Sequence, residues 1–426
     1  MTLAYPKHHF VKDGYQTSCQ ICNSFSLHLI LDLGHQPLCD TLLTKDMLNQ
    51  PEKTYPLRML WCQDCTCVQL DYCVPGSVVY HPDYPYLSGI TKELAEYQKN
   101  ISESLIKKYD LKPTDLVIDV GSNDGTLLSG FKESGIRVLG VEPTNIAKIA
   151  QSLGIDTIQA WFDIETSKKI KRKHGEASLI ITTNTFAHMQ TLGEFIMGAY
   201  NLLKKDGVFI NETHYLLDVI ALGQFDTIYH EHLRTYSLKA YVKLFEQYDF
   251  TVTDVERGSR YGGNIRVYAT KGKGKKVGSS LKKLLQLEDK SSLGKLATYK
   301  KFAVRVKKAR LEFMDFLIKT KKRRKSVVGD ACPARASTLL NYYGVDSELL
   351  PYISEQPTSL KLKHYLPGKH IPIVNNERLI REQPDYVVIL AWHLAKPIME
   401  RLKARGLKSD FIIPLPDFRI VKNSKV

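Results

Sequence analysis

Residues Leu116 to Gly125 read L-V-I-D-V-G-S-N-D-G. The apolar run is too short for a helix and stops at Gly121, as expected of a buried strand running into a tight turn. Downstream, TLLSGFKESG reads as a helix closed by Gly135, RVLGVEP as a second strand and NIAKIAQSLG as a second helix. ASLIITTN adds a strand after a charged linker, and GVFINETHY another beyond one more helix. Strands alternating with helices predict a parallel, doubly wound, Rossmann-like α/β sheet. FTVTDVERGSRYGGNIRVYAT, residues 250–270, reads as an antiparallel pair joined by a glycine-rich loop.

On either side the pattern changes. A chain of 426 residues exceeds what one core usually serves, so several domains are expected. Residues 1–75 carry seven of the eight cysteines and short β-like stretches such as YPLRMLWC. Residues 76–271 form the central domain, entered through the tyrosine-rich YHPDYPYLSG, a packed loop or a lid, and a helix at about Thr91–Tyr109. Residues 272–426 begin with a basic amphipathic helix, with Leu293, Leu296, Phe302, Val306, Phe313 and Phe316 or Leu317 at helical spacing. A smaller Rossmann-like α/β domain opening at KSVVGDACPARASTLLNYYG follows.

Net charge is +15, yet between Lys271 and Lys325 there are 20 Lys or Arg against four Asp or Glu. The rest of the chain is close to neutral. One basic segment implies a solvated helix face or a single anionic docking site, whereas a nucleic-acid binder presents a broad basic surface. No stretch is long and apolar enough to span a bilayer, and MTLAYPKHHF lacks the pattern of a secretory signal. The expectation is a cytoplasmic protein without a membrane or nucleic-acid partner.

Clustered cysteines in such a chain read as metal ligands before disulfides. Cys19-Gln-Ile-Cys22 and Cys62-Gln-Asp-Cys65 are two Cys-x-x-Cys knuckles that together complete tetrahedral S₄ coordination. They predict structural Zn²⁺ on Cys19, Cys22, Cys62 and Cys65. Four thiolates leave no position for a reacting water.

At the first turn, Gly121 and Gly125 let the chain bend beneath a ligand, and Glu142 closes the second strand about 20 residues on, where an acid accepts ribose hydroxyls. The full G-x-G-x-x-G of a dinucleotide site is missing. Asp119, Asn123 and Asp124 would repel phosphates but suit a sulfonium and an amino-acid head, which favours S-adenosylmethionine (SAM) over NAD. Asn184, after the fourth strand, belongs to the same edge. An α/β turn without a ligand is the plain alternative.

Tyr229-His-Glu-His232 with LRTYS behind it, the paired cysteine knuckles, GSNDGTLL, FAHM (Phe186–Met189), GGNIR (Gly262–Arg266) and LPGKHIPI (Leu366–Ile373) complete the picture. Together they make the chain resemble the sugar C-methyltransferases over nearly its whole length. The resemblance implies a zinc-binding domain, a class I SAM methyltransferase core and a C-terminal domain that helps hold a nucleotide diphosphate. It implies methylation at C3 of a dTDP- or GDP-linked 4-keto-6-deoxyhexose, in deoxysugar biosynthesis; a monomer or weak dimer is expected.

Chemistry agrees. The C4 ketone acidifies C3–H, so the site needs a base near neutrality and donors for the developing oxyanion. His232 is the candidate base, with Tyr229, Glu231 and His188 around it. His230 is expected to be structural, out of phase with its neighbours in an extended stretch. The resemblance implies a further tyrosine from the loop after the zinc domain, Tyr86 in preference to Tyr84. Asn264 and Arg266 are expected on substrate hydroxyls or phosphate. Where the family has a glycine-rich turn with a lysine, this chain reads Gly329-Asp-Ala-Cys-Pro-Ala-Arg-Ala336, which leaves Arg335 as the candidate phosphate cation.

Two histidines flanking a glutamate could instead bind a metal. A nucleic-acid methyltransferase is disfavoured because Thr-Thr-Asn184-Thr-Phe-Ala replaces the Asn/Asp-Pro-Pro-aromatic motif that holds a flipped base. A non-catalytic SAM-binding scaffold and a methyltransferase for another small molecule are the remaining alternatives.

Overall fold

A computed structural model describes residues 11–80, 89 and 92–423; Tyr84 and Tyr86 lie outside them. Its central sheet has seven strands in the spatial order Phe250–Gly258, Asn264–Lys271, Leu203–His214, Ala177–Thr183, Leu116–Val120, Arg137–Val141, Thr157–Ile158. Only Asn264–Lys271 runs antiparallel to its neighbours. Every residue of Leu116–Val120 is buried, because helices cover both faces of a parallel sheet. The chain order reverses beside this strand, at the switch point where such sheets bind ligands.

The N-terminal module is a four-stranded antiparallel sheet of Leu27–Gln36, Tyr55–Cys62, Val68–Leu70 and Arg234–Thr235. Its last strand comes from the central domain, so the module is built into that domain. The Sγ atoms of Cys19, Cys22, Cys62 and Cys65 all lie within 4.8 Å of one another, with Cys19–Cys65 and Cys22–Cys62 both at 3.5 Å. None is in a disulfide. A zinc tetrahedron with Zn–S of about 2.3 Å has edges of about 3.8 Å, so the thiols fit the ion. Trp61 packs on Tyr299 (ring centroids 5.0 Å apart), and Thr66 Oγ1 lies 2.6 Å from Ser237 Oγ, fixing the module to the rest of the chain.

The C-terminal sheet has six strands, ordered Ile373–Asn375, Ile353–Glu355, Val327–Asp330, Tyr386–Ile389, Asp410–Ile413, Arg419–Val421, with only the last antiparallel. This is a second doubly wound unit. The basic segment before it forms two helices, Ser279–Lys290 and Leu296–Lys322, with Leu293 buried between them. The second helix buries Tyr299, Phe302, Val306, Ala309, Phe313 and Leu317, selecting Leu317 over Phe316, and leaves Lys300, Lys301, Lys307 and Lys308 in solvent. One apolar cluster runs from Trp61 through Phe186 and Phe245 to Phe313 and Leu390, so the three regions share a core. Among the described residues no helix is long and apolar enough to cross a membrane.

Candidate active site

Both doubly wound sheets open onto one cavity of about 1110 Å³. At its first end the strand Leu116–Val120 gives way to Gly121, whose φ of 74° a side chain rarely adopts. There is also no room for one: a Cβ here would lie 2.4 Å from the Thr185 hydroxyl. Glu142 is buried on the cavity wall, with Oε2 accepting from Asn123 N (3.0 Å) and Oε1 from Thr144 N (3.0 Å) and Thr144 Oγ1 (2.7 Å). These bonds fix the carboxylate at the position from which it can accept ribose hydroxyls.

Of the expected cofactor residues, Gly121, Asn123, Glu142 and Asn184 line the cavity. Asp119, Asp124 and Gly125 do not. Asp124 caps the next helix through Thr126 N and Oγ1 and accepts from Gly89 N at 2.6 Å. Gly125, at φ 79°, passes tightly beneath Ile155. Asp119 lies behind the turn, its carboxyl pushed up to about 8 by burial and then by Glu142 and Asp124. The buried Oδ1 atoms of Asp119 and Asn184 have no hydrogen-bond partner. On the cavity wall itself, the Glu142 carboxylate and the spare Asn184 Oδ1 suit a cationic cofactor with an ammonium group.

At the middle of the cavity the YHEH segment is a turn closed by His232 N to Tyr229 O (2.9 Å), not the extended stretch expected from sequence. His230 nonetheless faces away, with Nε2 3.2 Å from the carbonyl of Pro56 in the N-terminal module. His232 Nδ1 lies 2.7 Å from the carbonyl of Thr227. A carbonyl only accepts, so the proton sits on Nδ1 and Nε2 is left as a base. Burial, opposed by the Thr227 bond and reinforced by Arg335, pulls this imidazole down to about 4. Tyr229 lies tilted against it at 4.0 Å and His188 meets the ring edge-on at 4.8 Å. His188 Nδ1 lies 2.8 Å from the Tyr80 hydroxyl and 3.9 Å from Glu231 Oε2. Cys39 Sγ of the N-terminal module points at Glu231 Oε1 (3.6 Å).

Family models match three successive parts of the chain: a zinc binding domain at residues 19–80, a methyltransferase domain at 91–255 and a C-methyltransferase C-terminal domain at 259–416. The C-methyltransferase NovU of Streptomyces niveus is 30% identical over 407 residues, covering 95% of this chain and 96% of that protein. The chain belongs to the C-methyltransferase family. It is a SAM-dependent enzyme with a zinc-binding domain. Solved structures also align with 42% of the chain. A SAM-dependent methyltransferase from Clostridium acetobutylicum matches over 92% of its own length (TM-score 0.34, 14% identity). Magnesium protoporphyrin IX methyltransferase from Synechocystis matches over 83% (TM-score 0.32, 12% identity).

The far wall of this C-methyltransferase's cavity departs from the sequence expectation. Arg335 lines it, but all five N–H donors are spent: Nε and Nη2 on Asp226 (both 2.8 Å), Nη2 on Gln224 Oε1 (3.1 Å), Nη1 on Tyr261 O and His393 Nδ1 (both 3.2 Å). The guanidinium fastens one sheet to the other and has nothing left for a phosphate. Asn264 and Arg266 are absent from the lining altogether. Asn264 Nδ2 donates to Glu212 Oε1 at 2.7 Å, and Arg266 donates to Glu212 Oε2 through Nε (2.8 Å) and Nη2 (2.6 Å). A buried glutamate needs such partners, and their strands bring them to it in register.

Several lining residues escaped the sequence reading: Tyr80, His214, Tyr261, Lys361, His393 and Arg401. Only His214 left a usable signal, since it ends the strand GVFINETH at the ligand-binding edge. Lys361 and Arg401 are the cations at the second sheet's switch point. Lys361 Nζ donates to Cys332 O (2.8 Å), and Arg401 approaches Asp330 (3.8 Å).

Proposed function

We propose that this C-methyltransferase methylates C3 of a nucleotide-linked 4-keto-6-deoxyhexose, with dTDP or GDP as the nucleotide. The observation that carries the reading is His232: a neutral imidazole anchored through Nδ1, on the wall of a cavity that joins two nucleoside-type crevices. One crevice suits SAM and the other a second nucleotide, so the sugar between them reaches the imidazole.

SAM, when bound, supplies an electrophilic methyl. His232 Nε2 takes the proton from C3, and the electron pair spreads onto the C4 oxygen. Glu231 and Tyr229 hold the ring environment, and the resulting imidazolium is stabilised by the Thr227 carbonyl. Lys361 and Arg401 offer positive charge to the diphosphate from the second sheet.

The test is mass spectrometry of the protein incubated with SAM and a panel of dTDP- and GDP-4-keto-6-deoxyhexoses. A gain of one methylene on a panel member is expected, lost in His232→Ala with SAM affinity retained. The acid limb of kcat/KM should fall as pH drops through about 4, where His232 takes up its proton. No product from any sugar, or wild-type turnover in His232→Ala, overturns the reading.

A further inference from the structure

His214 ends the strand Leu203–His214 and opens onto the cavity beside His232, ring centroids 5.2 Å apart. Tyr261 lies 5.7 Å from it on the other side. What sets this residue apart is its lack of commitment. His188 is bonded to the Tyr80 hydroxyl, His232 to the Thr227 carbonyl, His393 to Arg335 and His230 to the Pro56 carbonyl. Among the described residues, no hydrogen bond holds either ring nitrogen of His214. Its half-buried ring therefore opens into the cavity with its polar atoms available to a ligand.

We propose that His214 is a second catalytic residue, donating a ring N–H to the C4 oxygen of the sugar while His232 removes the C3 proton. The inference rests on the functional reading above. The C3–H bond breaks and its proton goes to His232 Nε2. The electron pair forms a C3–C4 double bond and charges the C4 oxygen, which accepts the His214 N–H. When C3 takes the methyl, the methyl–sulfur bond breaks with its pair left on the sulfur of departing S-adenosylhomocysteine, while the pair returns from the C4 oxygen and the ketone is restored. A neutral imidazole suits a donor that must not itself surrender a proton. Burial, then His232, Arg335, His393 and His188, hold His214 well below the usual range for histidine. The ring is therefore neutral at pH 7, with one N–H to give. Donors fixed in a site that excludes water stabilise an oxyanion without reorganising.

The experiment compares wild type, His214→Leu and His214→Gln on a sugar that wild type methylates. Kinetics are joined by C3–H exchange in D2O with S-adenosylhomocysteine in place of SAM. Loss of one oxyanion donor costs about 10²- to 10³-fold in kcat. That loss is expected in His214→Leu, with a parallel loss of exchange rate and unchanged SAM affinity. His214→Gln keeps an N–H and should recover at least about tenfold over His214→Leu. Turnover in His214→Leu within about threefold of wild type overturns the role, as does a glutamine variant no better than leucine. Wild type inert on every keto sugar overturns the functional reading as well, which separates the two failures.

Discussion

Gly121 and Ala331 stand at matching places in the two doubly wound sheets. Each follows a first strand, each has a left-handed backbone (φ 74° and 63°), and each donates its N–H to the second strand, to Val141 O and Ser354 O. Beyond them a glutamate ends each second strand and collects a loop N–H. Glu142 takes Asn123 N at 3.0 Å, and Glu355 takes Cys332 N at 2.7 Å. Only what crosses above the turn differs. Thr185 leaves no space for a Cβ at Gly121, whereas the Ala331 methyl fits and bears a backbone cost of about 1–2 kcal/mol. The sheet dictates the turn, and the neighbouring chain dictates the side chain.

The comparison can be broken most severely at the joint between the sheets. Asp226→Ala leaves the Arg335 charge and the Trp392 indole N–H without their acceptor in a dry interface. The variant should lose about 3–5 kcal/mol in urea unfolding. A loss below about 1 kcal/mol would show that the sheets are held together by their shared apolar core alone.

Acid titration should separate the two sheets next. Burial first raises the carboxyls of Asp119, to about 8, and of Asp330, to about 6, from 3.8. The folded chain thus keeps protons that the unfolded chain releases, and stability falls as pH rises. That decline should span about pH 4–8 for Asp119 and about 4–6 for Asp330. Asp119→Asn should flatten the stability profile over the wider window. Identical profiles in the two asparagine variants would contradict the difference in burial and neighbours.

A smaller effect distinguishes the glutamates. Glu142→Ala should weaken SAM binding about 10²-fold by calorimetry, the worth of two hydrogen bonds to a charged group. Glu355→Ala should leave SAM binding unchanged; a loss there would mean that the second crevice takes part in cofactor binding. Smallest is the turn itself. Ala331→Gly should raise stability by up to about 1 kcal/mol, limited by glycine's unfolded-state entropy. Gly121→Ala should lower it as Thr185 is displaced, and a neutral result would show that Thr185 yields freely.

Much of the fold is legible from local pattern. The continuous apolar run Leu116–Val120, the turn at Gly121 and the 3.6-residue row from Phe302 to Leu317 are each set within a few residues. The zinc knuckles are legible for the same reason. The site is legible only where a residue sits at the end of a strand or in a recognisable segment, as Glu142 and the YHEH turn do. Arg266 and Arg335 mislead because a cation in a loop looks available until its partner is known. Glu212 is 54 residues from Arg266 and Asp226 is 109 from Arg335, and no spacing rule links them.

By itself the sequence determined the order of strands and helices, the four-thiol set and the cofactor-binding edge, because backbone conformation and burial period are local properties. Tertiary structure alone decided which polar groups remain free. It spent Arg266, Asn264 and Arg335 on buried carboxylates, took the fourth strand of the zinc-binding module from Arg234–Thr235, and left His214 uncommitted beside His232. The physical reason is that burial requires each polar group to find a partner, and distant segments compete for those partners only once the sheets have closed around one cavity.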